Sequence, residues 1–101
     1  MLRQEIVSDT ETRLVVSGPL YGEAAIELEK KIDALCAGTY ATISLDFSMA
    51  VGITSSIIGK LVSSQKRLVE QKRTIRIVGC STTLYDTFQK IKLDTLIQIT
   101  K

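Results

Sequence analysis

The apolar positions alternate near the N-terminus, then recur at helical spacing, and the two periods keep exchanging to the end of the chain. A period of two marks a strand; recurrence at three and four marks an amphipathic helix. Residues 2 to 7 and 12 to 18 read as two strands, with the polar stretch Ser8 to Glu11 as the turn between them. The second strand is β-branched and closes on Gly18-Pro19, where the proline cannot donate to a ladder and marks the exit. Ala25, Leu28, Ile32, Leu35 and Cys36 fall on one stripe of a helix over 22 to 37, and Gly38 stops it. A third strand over 41 to 47 contains Asp46 near its end. A second helix over 55 to 71 has Ile58, Leu61, Val62, Gln65, Leu68 and Val69 on its inner stripe. A fourth strand over 74 to 78 leads to a helix over 82 to 91, capped by Ser81, with Leu84, Phe88 and Ile91 inward. Residues 95 to 100 close as a fifth strand. The order ββαβαβαβ predicts one α/β domain over residues 1–101, with a mostly parallel central sheet and amphipathic crossover helices.

Composition narrows the function classes. A chain of 101 residues, 45% hydrophobic and 24% charged, can bury its own core without disulfides or metal. No apolar run approaches the length of a membrane span, and the alternating N-terminus is no signal-peptide core, so a cytoplasmic location is expected. Cys36 and Cys80, far apart in apolar surroundings, are expected as buried free thiols, which fits a reducing compartment. The net charge of +2 conceals an acidic first half and a basic second half. The basic residues are diluted by Ser, Gln and Glu, with no aromatics between them to stack bases, so a solvated face is expected and no nucleic-acid partner.

The chemistry-bearing stretch runs from Asp46 to Lys60, where a strand gives way to a loop and then to a helix opened by Thr54, Ser55 and Ser56. Open α/β sheets place their working groups at such a junction. Gly59-Lys60 invites comparison with a phosphate-binding loop, but Thr54 stands where that motif needs its first glycine and Leu61 where it needs a hydroxyl. The chain has no histidine, which argues against acyl-transfer chemistry; a small enzyme using Asp46 or a serine is the weakest alternative. No cofactor or metal is implied. At least one of the three hydroxyl residues is expected to cap the helix, and the helix start would tolerate a phosphate. Asp46 is either a carboxylate of this site or the holder of its own turn.

Four segments, in order and at near-family spacing, resemble the STAS domain, the fold of bacterial anti-sigma factor antagonists and of sulphate-transporter tails. Leu14-Val-Val-Ser-Gly-Pro-Leu20 resembles the family's strand ending in S-G-x-L. Leu45-Asp46-Phe47-Ser48 resembles its L-D-L-S strand end, and Gly52 to Gly59 falls on its F-[IM]-D-S-[ST]-G-L-G loop and helix start. Ser81 to Phe88, followed by Lys92-Leu93, resembles the stretch S-P-x-V-x-x-x-F, later G-L.

The resemblance implies a non-enzymatic interaction module of bacterial signalling and transcription regulation, whose partner is a serine kinase that doubles as anti-sigma factor. Phosphorylation of the domain breaks that complex. It places the phosphoacceptor at Ser55, with Ser56 as the neighbouring hydroxyl, and the partner-binding surface at Asp46, Gly52, Thr54, Ser55, Ser56, Ile57 and Lys60. Three departures stand out: Thr54 and Tyr21 replace acidic residues, and Ile57 replaces a glycine. These favour the alternative, a non-phosphorylated STAS subunit of a transporter-associated or other multiprotein complex.

Overall fold

The computed structural model describes residues 2–101. Its elements are β1 (Leu2–Ile6), β2 (Glu11–Pro19), α1 (Glu23–Cys36), β3 (Thr42–Val51), α2 (Ser55–Glu70), β4 (Thr74–Cys80) and α3 (Thr82–Lys90), with a short 3₁₀ turn at Leu93–Thr95. The sheet runs in the order β1-β2-β3-β4, antiparallel between β1 and β2 and parallel thereafter. Each parallel step moves one place in the same direction. Right-handed crossovers therefore put α1 and α2 on the same face. Leu14 and Val16, Ile43, Leu45 and Phe47, and Ile75 and Ile77 point into that face, where they meet Leu28 and Ile32 of α1, Ile57, Leu61 and Leu68 of α2, and Leu84 and Phe88 of α3. Both cysteines are buried and free, and burial raises the Cys80 thiol above its usual range against the smaller pull of Lys101. Among the described residues no helix is long and apolar enough to cross a membrane.

Two sequence expectations about the C-terminal segment are corrected. The fifth strand shrinks to a single parallel bridge between Ile77 and Ile99. Lys92 takes a left-handed conformation, and Leu93 and Ile97 are both buried while Leu96 is exposed. The amides of Thr95 and Leu96 bond back to the carbonyls of Lys92 and Leu93, which winds the segment into a 3₁₀ turn, and only the residues from Gln98 onward bond along β4. Ile91 is exposed because it is the C-cap of α3, outside its buried stripe.

The buried stripe of α2 is Ile57, Leu61, Ser64 and Leu68, rotated from the expected one. The helix carries the apolar doublets Ile57-Ile58, Leu61-Val62 and Leu68-Val69, and either member of each could face inward by pattern alone. Packing against the sheet selects the first of each pair and leaves Val69 exposed.

Two polar side chains close the ends that the backbone leaves open. The Arg73 guanidinium donates to the carbonyls of Leu35, Cys36 and Tyr40, satisfying the C-terminus of α1, whose own last turn has no basic residue. Gln65 of α2 accepts from the amide of Ile75 at 2.9 Å, covering the outer edge of β4 where the C-terminal segment does not reach.

Candidate functional site

Strand β3 does not end at Phe47, as expected, but continues to Val51, pairing with β2 through Ser17–Met49 and Pro19–Val51 after a register shift. The extra length carries Met49 and Val51 out to the sheet's C-terminal end, where they are 69% and 62% exposed. Tyr21, 64% exposed, directly follows Leu20, whose amide bonds the carbonyl of Val51. Gly52 then turns the chain with φ 76°, a conformation that a side chain would strain. A groove between Val51, Gly52 and Ile53 on one side and Thr83, Leu84 and Thr87 of α3 on the other borders this end.

Thr54 is the N-cap of α2. Its extended backbone lets the hydroxyl accept from the amide of Ile57 at 3.2 Å, while its carbonyl receives the first helical bond from Ile58. Ser55 and Ser56 occupy the first turn and are exposed. Among the described residues the Ser55 hydroxyl makes no hydrogen bond. Ser56 is held instead: its Oγ donates to Glu29 Oε1 at 2.9 Å. One turn along, Lys60 Nζ donates to both carboxylate oxygens of Asp33, at 3.0 and 2.9 Å. Glu29 and Asp33 are four apart on α1, and Ser56 and Lys60 are four apart on α2, so the two contacts form successive rungs between the helices.

The structure thus gathers Gly52, Thr54, Ser55, Ser56 and Lys60 at one end of the domain and separates two other expected contact residues from them. Ile57 is fully buried, a core residue beneath the loop that offers no surface to a partner. Asp46 alternates with Leu45 and Phe47, which face the helices, so its carboxylate lies on the opposite face of the sheet. There it accepts from both the amide and the hydroxyl of Ser48. Burial works against ionisation of Asp46, but the two Ser48 bonds and the positive charge of Arg13 hold its pKa below the ordinary value. Gly79 makes the arrangement possible, since a Cβ there would stand 2.6 Å from Ser48 Oγ and 2.9 Å from Asp46 Oδ1.

Sequence reasoning missed Met49, Val51, Glu29 and Asp33. The first two lay in what read as loop, and the two acids counted only toward the acidic first half of the chain; their four-residue spacing, matching that of Ser56 and Lys60, was the available signal. The local chemistry is that of an anion-tolerant helix start, with the Ser55 and Ser56 amides unpaired within the helix and a free hydroxyl beside an apolar rim.

The sequence model of the STAS domain family matches residues 4–101. Among solved structures, the chain is similar to the anti-sigma factor antagonist SpoIIAA in its unphosphorylated form, with 20% identity and a TM-score of 0.82 over 100% of this chain and 89% of that one. It is also similar to an anti-sigma factor antagonist from Mycobacterium paratuberculosis, with 19% identity and a TM-score of 0.84 over 98% and 83%. The STAS domain of a SulP transporter from Vibrio cholerae matches with 15% identity and a TM-score of 0.63 over 91% and 71%. No significant match was found among curated proteins.

Proposed function

The chain belongs to the STAS domain family, and from that premise we propose that it is a non-enzymatic, anti-sigma factor antagonist-like interaction module switched by phosphorylation of Ser55. Its partner is a regulatory serine kinase of the anti-sigma factor kind, and the contact surface is the β3–α2 loop with the start of α2. The observation that carries this reading is the state of Ser55: exposed in the first turn of a 16-residue helix, its hydroxyl uncommitted. Two exposed apolar side chains, Met49 and Val51, lie on the strand that feeds the loop. The apolar rim supplies area for a complex, and the serine supplies the means of ending it. A phosphate there adds about −1.5 to −2 charges, which the helix N-terminus tolerates and a docked partner surface does not. The fold is shared with a protein described in an unphosphorylated form, which supports a two-state role here.

The test is phosphate mapping by mass spectrometry after incubation with ATP and the cognate kinase, together with partner binding before and after. Phosphate on Ser55, release of the partner, and loss of both in Ser55→Ala are expected. A complex that persists with neither serine modified overturns the switch. That outcome would favour the alternative, a permanent STAS subunit of a transporter-associated or other complex, which the likeness to the SulP domain and the non-acidic Thr54 and Tyr21 support.

A further inference from the structure

Ser55 and Ser56 are adjacent in sequence and exposed alike, yet their surroundings differ. Successive residues of a helix are about 100° apart around its axis, and only Ser56 falls on the side facing α1. Its hydroxyl gives its single proton to Glu29, and Asp33 lies one turn beyond, engaged by Lys60. We propose that Glu29 is a specificity-determining residue that reserves phosphorylation for Ser55, and that Ser56 serves as the tie holding α1 to the start of α2. The kinase arm of this proposal rests on the reading of the loop given above; the tie does not.

The chemistry follows from what a phosphate ester removes and adds. In transfer from ATP, serine Oγ bonds to the γ-phosphorus, the bond to the β-phosphate bridging oxygen breaks, ADP leaves, and the hydroxyl proton passes to the kinase's base. At Ser56 the product has no proton left for Glu29, so the rung is lost. In its place a phosphate faces a carboxylate that had been within hydrogen-bond distance, and like charges this close repel. At Ser55 the same ester disturbs no existing bond and rests against the unpaired amides of the first turn. The two modifications therefore have opposite consequences: one is carried by the folded domain, and the other pushes α1 and α2 apart.

The first measurement needs no kinase. Phosphoserine is incorporated at position 55 or at position 56 during synthesis, in the wild-type background and with Glu29→Gln, which keeps an acceptor but removes the charge. Thermal midpoints and amide hydrogen exchange over α1 are then compared. The modified Ser55 protein is expected to melt within a degree or two of the unmodified one. The modified Ser56 protein should melt at least about 4 °C lower, the scale of shift that a single lost interaction gives a domain of this size, with faster exchange in α1. Glu29→Gln should recover most of that loss. Equal midpoints for the two phosphoproteins, or a Ser56 loss unchanged by Glu29→Gln, would overturn the proposal.

The second measurement adds ATP and the kinase. The share of phosphate on Ser56 should rise several-fold in Glu29→Gln; a fall would make Glu29 an activator of Ser56 and overturn the assignment. A kinase that modifies neither serine defeats the proposed switch alone, because the tie is already decided by the first measurement.

Discussion

On the helix-free face of the sheet, Glu11 accepts from Ser44 at 2.6 Å and from Arg76 at 2.9 Å, Arg76 also donates to Ser44, and Asp46 accepts twice from Ser48. At the start of α2 the polar groups are left looser. Among the described residues Ser55 has no side-chain partner, and Ser56 and Lys60 each hold one acidic partner on α1. Both regions are rich in hydroxyls and carboxylates, but on the sheet face each acid is held by several donors at once, and Ser44 is fully buried beneath its partners. A polar group so satisfied has little left to offer a ligand, and losing one partner strands the others. Asp46 therefore belongs to the framework, although its strand leads into the loop proposed as the contact surface. An exposed and uncommitted hydroxyl at a helix start, such as that of Ser55, can take a new partner at small energetic cost, and that is what a reversible surface needs.

Substitutions can break this contrast, and the largest effect should come from beneath the loop. Ile57→Ala removes a fully buried side chain that anchors the first turn of α2 to the core. It should destabilise the domain by about 2–5 kcal/mol in denaturant unfolding. A loss under 1 kcal/mol would mean that the loop is not fastened through this residue. Gly79→Ala comes next, because its methyl group meets Ser48 and Asp46 at less than contact distance. A loss of about 1–3 kcal/mol is expected, eased when Ser48→Ala is combined with it; no relief from the second change would dissociate Gly79 from the Asp46 cluster.

Glu11→Gln should act through pH. Hydrogen bonds from Ser44 and Arg76 outweigh burial and, with the charges of Arg76 and Arg13, hold the Glu11 pKa below 4.5 in the fold. A depressed carboxyl pKa stabilises the fold above the unfolded value and loses that contribution as pH falls through the folded one. The stability gap between wild type and Glu11→Gln should thus be widest near neutrality and close in acid below about pH 4.5. A gap independent of pH would remove the charge from the account. The smallest effect belongs to Ser55→Ala, within about 0.5 kcal/mol of wild type, although it should abolish the proposed phosphate uptake. If it proved as costly as Ile57→Ala, the contrast between a framework face and an adjustable loop would fail.

The alternating and helical periods were enough to locate the four strands of the sheet, the three helices, the Ser81 cap and the buried cysteines, because each depends on chemistry within one or two turns. The motif order was enough to identify the family. Pattern could not choose the inward member of each apolar doublet on α2, since Ile57 and Ile58 are equally apolar and only the sheet they pack against distinguishes them. Nor could it tell that Leu93 and Ile97 would fold as a turn before the chain reached β4, or that β3 would run past Phe47 to Val51 once β2 was available to pair with it.

At the site, Thr54, Ser55 and Ser56 were legible because capping and exposure at a helix start are local properties. That Asp46 faces away from them, that Ile57 lies beneath them, and that Ser56 is tied to Glu29 were decided only by tertiary structure. Each depends on which face of the sheet or helix a side chain occupies and on what lies across from it. Glu29 and Ser56 are 27 residues apart, and only the packing of α1 against α2 brings them within a hydrogen bond.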